Sequence, residues 1–240
     1  MKLGLIGTGK QGQRYLMEKN GGRHIVRSGS REIDYEGLDG VIIATHPAGH
    51  KKLALECIER GLPVLVEKPL ALTLADCEEI LDAAERADLQ CMVAHTHVYH
   101  DDNCWCLNHD ETADFGVAVA QYVIHDRDYS PWLDWGPHLL SLLMNAACGW
   151  SARELLERCT LTQGSKRFLY SAISGTKPRY LGGFDRWSRV YYSGAPDGGD
   201  ETPMACMVDC FTSGNSGWSY NETRAIYRAL FLEEHGQGSK

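Results

Sequence analysis

Three glycines in the run Gly7-Thr8-Gly9-Lys10-Gln11-Gly12 constrain this chain more than anything else in it. They follow the short apolar run Leu3–Ile6 directly and open a helical pattern, the setting in which such a triple carries structural meaning. Gly7 would permit a tight turn out of the strand, and Gly9 would let a pyrophosphate approach the backbone. Gly12 would let the helix pack closely on the strand. Free N–H groups at the helix start would then hold the phosphates, with Thr8, Lys10 and Gln11 beside them. The competing reading is an ordinary glycine-rich turn, against which the flanking strand and helix argue.

The pattern continues in the same grammar as far as Ala94. Val41–Thr45, Val64–Val66 and Cys91–Ala94 are short apolar runs suited to strands buried on both faces of a parallel sheet. Between them, Ala54, Cys57 and Ile58 fall on one face of a helix from Gly49 to Arg60, closed by Gly61 and Pro63. Thr73 opens another helix that runs to Ala87. This alternation predicts an α/β fold with an N-terminal Rossmann sheet, doubly wound and parallel.

The choice of dinucleotide should be written at the end of the second strand, placed at His24–Ser28. An acid there, about 20 residues past the glycines, would bind a ribose 2′-hydroxyl. The run reads Arg27-Ser28-Gly29-Ser30-Arg31 instead, and hydroxyls with a guanidinium suit a 2′-phosphate. NADP is therefore favoured over NAD, with Ser28, Ser30 and Arg31 as the contacts. If the strand runs one turn further, Glu32 or Asp34 would take the NAD role.

Charge and cysteine usage narrow the rest. There are 24 Lys and Arg against 32 Asp and Glu, a net charge of −8, and no basic cluster longer than Lys51–Lys52. Nucleic acid is a poor partner for such a surface. No apolar run approaches the ~18–20 residues that span a bilayer. Nine cysteines and an N-terminus without the features of a secretory leader fit reduced thiols and a cytoplasmic location.

Two further segments carry a family resemblance. Ala44-Thr45-His46-Pro47-Ala48-Gly49-His50 ends one strand and opens a helix, and Glu67-Lys68-Pro69 ends the next. Asp134-Trp135-Gly136-Pro137-His138 is similar to an Asp-x-Gly-x-His segment. With the glycines, these resemble the Gfo/Idh/MocA oxidoreductases, named for glucose–fructose oxidoreductase and inositol dehydrogenase. The likeness covers 1–95 well and 116–147 in part. It implies a catalytic set of Lys68, Asp134 and His138, with Thr45, His46, Pro47, His50 and Glu67 joining the cofactor site. It also implies self-association through a sheet in the second half, as a homo-oligomer.

The residue chemistry agrees with that set. Hydride transfer from an alcohol needs the hydroxyl proton to leave, and a histidine titrating near neutrality suits the task. Asp134 and His138 are four apart at a helix start, so both can lie on one face. Lys68 supplies a cation at the carboxyl end of a parallel strand, where open α/β sheets bind ligands.

Residues 96–240 read as a smaller α+β domain with a mainly antiparallel sheet, after a dinucleotide-binding domain at 1–95. Gly116–His125, Arg167–Ile173, Trp187–Tyr192 and Met204–Phe211 are its strand candidates. Helices are expected at 137–147, after the capping box Ser151–Glu154, and at 222–234. His95, His97, His100, Cys104, Cys106 and His109 crowd one segment without a recognised metal spacing. Substrate contact by His97 or Tyr99 is favoured there over a metal, and Trp135 could stack on a substrate ring. The linkage 29–39 is too short for a full crossover helix, so the chain reads as a shortened member. The expected function is hydride transfer between NADP(H), or NAD(H), and a sugar, cyclitol or other small carbonyl or alcohol. The alternative is a non-catalytic dinucleotide-binding regulatory or scaffold protein of the same fold.

Overall fold

A computed structural model describes residues 1–18, 21–99, 118–123, 128–130, 133–134, 136–138, 140–141, 159–164, 167–172, 203–215 and 218–236. Its centre is a five-stranded parallel sheet built from β1 (Leu3–Ile6), β2 (Ile25–Gly29), β3 (Gly40–Ile43), β4 (Val64–Val66) and β5 (Cys91–Val93), in the order β2-β1-β3-β4-β5. The strands are in step at their carboxyl ends: Ile6 pairs with Gly29 and Ile43, Ile43 with Val66, and Val66 with Val93. The chain leaves β1 in one direction for β2 and returns past it to β3, which puts the topological switch point at the end of β1.

Alternation along the strands divides the core into two apolar layers. Ile6, Val41, Ile43, Val64, Val66 and Val93 face one layer, where α2 (His50–Glu59) and α3 (Leu74–Arg86) pack. The buried stripe of α3 is Cys77, Ile80, Leu81 and Ala84, at helical spacing, and the Thr73 hydroxyl caps it by accepting from the Asp76 N–H at 3.1 Å. Leu3, Leu5, Ile42, Leu65 and Met92 face the other layer with Tyr15 of α1 (Lys10–Met17).

Both layers are closed by helices from the far end of the chain. Helix α4 (Pro203–Thr212) puts Met204, Met207, Val208 and Phe211 into the second layer. Helix α5 (Tyr220–Gly236) puts Ile226, Tyr227, Leu230 and Phe231 into the first. The segment 204–211 was expected as a strand and is helical. The four residues that face the second layer recur at i, i+3, i+4 and i+7, a helical period hidden within a nearly continuous apolar run. The segment read as a second unit thus contributes two helices to the core of the first.

Three more strands, β6 (Ala118–Val123), β7 (Cys159–Gly164) and β8 (Arg167–Ala172), form an antiparallel sheet in the order β6-β8-β7. β7 was not expected from the sequence. The strand candidate 187–192 and the helix after Ser151 lie outside the described residues. No helix between β2 and β3 occupies 30–39. Arg27 holds that link by donating to the carbonyls of Asp34 and Glu36 while pairing with the Asp34 carboxylate at 3.4 Å.

Candidate active site

The glycine turn is built as its spacing demands. Gly7 has φ +106°, and a Cβ there would stand 2.4 Å from the Ala44 carbonyl oxygen. A Cβ on Gly12 would stand 1.8 Å from the Gly7 carbonyl oxygen, so any side chain would force helix and turn apart. Gly9 differs: apart from its chain neighbours and its own helix, no atom of the described residues lies within 4 Å of the position a Cβ would take. It is also the N-cap of α1, and no side chain caps that helix end. An uncapped helix start beside open space fits a pyrophosphate, so the residues present fit a dinucleotide.

The Gly7 N–H donates to the Gly29 carbonyl at 2.8 Å, which brings the turn against the end of β2. Ser28, Ser30 and Arg31 are all exposed at that edge. Arg31 makes no hydrogen bond or ion pair among the described residues, whereas Arg27 is spent on the 34–36 link. Strand β2 ends at Gly29, and the Asp34 carboxylate accepts from the Glu36 N–H at 3.0 Å as well as facing Arg27. Asp34 is therefore committed to its own loop.

The ends of β3 and β4 carry the other residues. His46 Nδ1 accepts from the Ala48 N–H at 3.3 Å, so its Nε2 carries the proton and donates to Asp128 at 2.9 Å. Pro47 is buried at the start of a short turn, and Thr45 donates to the His46 carbonyl. His50 is fully buried, its ring lying between the carbonyls of Pro69 (2.9 Å) and Thr45 (3.1 Å). Burial pushes its pKa below the usual histidine value. The ring ties the β3 loop to the β4 loop.

Glu67, expected in the cofactor site, has its carboxylate turned toward α1. It is 6% exposed and accepts from Gln11 Nε2 at 2.7 Å and the Tyr15 hydroxyl at 2.8 Å. Burial raises the pKa of both Glu67 and Tyr15. The next residue, Lys68, points the other way. Its Nζ donates to both the carboxylate and the carbonyl of Asp134, each at 2.7 Å. Asp134 is almost wholly buried, and the Tyr129 hydroxyl donates to the same carboxylate oxygen at 3.3 Å. Removing either partner of such a pair would leave an uncompensated buried charge. His138 lies one helical turn on from Asp134, also buried.

The structure thus brings Lys68 and Asp134 into contact, with His138 on the same helical segment. Tyr99, expected at the substrate, packs in the core beside Met92 beneath α4 and is 8% exposed. Trp135 and the side chain of His97 lie outside the described residues, as do 100–109. Among the described residues no group of three His, Cys, Asp or Glu side chains could hold a metal ion. Likewise, no helix among them is long and apolar enough to cross a membrane. Tyr15, Asp128 and Tyr129 were missed from the sequence. Tyr15 alone left a signal, lying three residues past Gly12 on the helix that the glycines open.

The fold has counterparts among known proteins. Residues 26–95 match the family described as "Oxidoreductase family, NAD-binding Rossmann fold", the Gfo/Idh/MocA group. The chain is 37% identical over 87 residues to a glycosyl hydrolase family 109 protein of Shewanella sp. (strain W3-18-1), a match covering 36% of this chain and 19% of that protein. A dehydrogenase from Chromobacterium violaceum shares the fold with a TM-score of 0.69 at 15% identity, over 100% of this chain and 97% of that one. A Gfo/Idh/MocA oxidoreductase from Vibrio cholerae superposes with a TM-score of 0.66 at 15% identity, over the whole of both chains.

Proposed function

Starting from residues 26–95, which match the Gfo/Idh/MocA oxidoreductase family, we propose that this protein is an NADP(H)-dependent oxidoreductase acting on a sugar, cyclitol or other small alcohol or carbonyl. The observation that carries the reading is the Lys68–Asp134 pair at the carboxyl end of β4, two strands from the glycine turn. The nicotinamide, when bound, supplies or accepts the hydride. Gly7, Gly9, Gly12 and the start of α1 would hold its pyrophosphate. Ser28, Ser30 and Arg31 support the choice of NADP, because a 2′-phosphate would meet hydroxyls and an uncommitted guanidinium there.

Lys68 holds the substrate oxygen with its ammonium and lowers the work of moving a proton on or off it. Asp134 aims that ammonium, since its carboxylate and its carbonyl fix Nζ from two directions. His138 accepts the hydroxyl proton during oxidation and returns it during reduction. The 37% identity to a glycosyl hydrolase family 109 protein favours sugar derivatives, glycosides included, as the substrates to try first.

The test is a turnover screen of the purified protein with NADP⁺ and a panel of sugars, cyclitols and glycosides, following reduced nicotinamide. His138→Ala is expected to abolish turnover of any substrate found while leaving cofactor affinity within a few-fold. An unaltered kcat would remove His138 from the mechanism.

A further inference from the structure

Glu67 is a buried carboxylate beside Lys68, yet the proton path above makes no use of it. Both groups that donate to its Oε1 come from α1, Gln11 from the first turn and Tyr15 from one turn on. Its Oε2 accepts from the backbone N–H of Lys68 at 3.3 Å. One carboxylate therefore ties the helix whose start faces the pyrophosphate to the strand end that carries the lysine. We propose that Glu67 is a positioning residue that sets dinucleotide affinity through Gln11 and Tyr15, holding α1 at the end of β4 without touching the nicotinamide. The inference rests on the proposed dinucleotide site.

The three contacts are those that an ionised carboxylate makes best. Gln11, Tyr15 and the Lys68 N–H all donate, so a carboxylate satisfies them together. A protonated carboxyl is a weaker acceptor than a carboxylate and must also place its O–H among these groups, which weakens the link. Charged and titratable groups facing the cluster are Arg14 and Tyr15 from α1, Lys68 from its own strand, and Tyr227 from α5. Arg14 also donates to the Gln11 side-chain oxygen at 3.3 Å, which orients the amide toward Glu67. Burial has raised the Glu67 pKa, so the contacts weaken as pH falls into a range where an exposed glutamate would still be ionised.

The experiment is a fluorescence titration of the full chain with NADPH at several pH values, for the wild type, Glu67→Gln, Tyr15→Phe and the double variant. Each single substitution is expected to weaken binding about tenfold with the emission maximum of the bound nicotinamide unchanged. The double variant should be little worse than either single one, since both remove the same link. Wild-type affinity should fall toward low pH, while that of Glu67→Gln should stay flat over the same range. Tyr15→Phe deletes a single oxygen and keeps the test open if Glu67→Gln fails to fold. Wild-type binding with unchanged affinity in Tyr15→Phe, or a fully additive double variant, would overturn the role of Glu67. A shifted emission maximum in Glu67→Gln would overturn it too, by placing the residue at the nicotinamide. A wild type that binds no dinucleotide would overturn the site reading on which the inference stands.

Discussion

Gly9 and Gly12 sit three residues apart under opposite constraints. At Gly12 the obstacle to a side chain is the protein itself, because a Cβ would fall 1.8 Å from the Gly7 carbonyl oxygen. At Gly9 no described residue stands in the way. Gly12→Ala is therefore expected to destabilise the fold by about 2 kcal/mol, the usual scale for forcing an extra methyl into a packed contact. Gly9→Ala should melt at the wild-type temperature but bind NADPH at least tenfold more weakly, since the methyl would occupy the space that the proposed site leaves for the pyrophosphate. Thermal melts and a binding titration on the two variants separate these outcomes. If Gly9→Ala binds like the wild type, the pyrophosphate does not approach that residue.

Elements show where the sequence was legible and where it was not. The parallel strands and α3 could be read in advance because each signal is local. Buried parallel strands are short apolar runs, and Thr73 with the Cys77–Ala84 stripe announces its own helix. The 204–211 segment misled because its period competes with a nearly unbroken apolar composition. Only the two-layer core reveals that Met204, Met207, Val208 and Phe211 face one way. At the site, Lys68 and Asp134 were legible as motifs. The partner Tyr129 was not, because a single tyrosine has no spacing to mark it, and Tyr15 was marked only by its place on the helix that the glycines open. The docking of α5 was equally invisible, since it depends on contacts between distant parts of the chain. Tyr227 accepts from the Leu70 N–H at 2.9 Å, two residues past Lys68, and Arg224 faces Glu78, Asp82 and Glu85 on α3. Tyr227→Phe leaves that buried N–H without its acceptor and should cost about 1–2 kcal/mol in urea unfolding. A variant as stable as the wild type would show that the hydroxyl contributes nothing to holding α5 on the sheet.

At the scale of the whole molecule, the fold gathers its chemistry along one edge. Parallel strands in step bring the glycine turn, the Ser28–Arg31 corner, the His46 loop and Lys68 to the carboxyl ends of the sheet. Helices from both ends of the chain keep that edge rigid by filling the two layers behind it. The segment carrying Asp134 and His138 reaches the edge at two points, through Asp128 on His46 and Asp134 on Lys68. A dinucleotide laid along this edge would run from Arg31 at its ribose to Lys68 at its reactive end. The most direct measurement is a side-by-side fluorescence titration with NADPH and NADH, on the wild type and on Arg31→Ala. The account predicts tighter binding of NADPH by the wild type, and loss of most of that preference in Arg31→Ala through weaker NADPH binding alone. Equal losses for both dinucleotides would take Arg31 away from the 2′-phosphate. Binding of neither by the wild type would contradict the dinucleotide site itself.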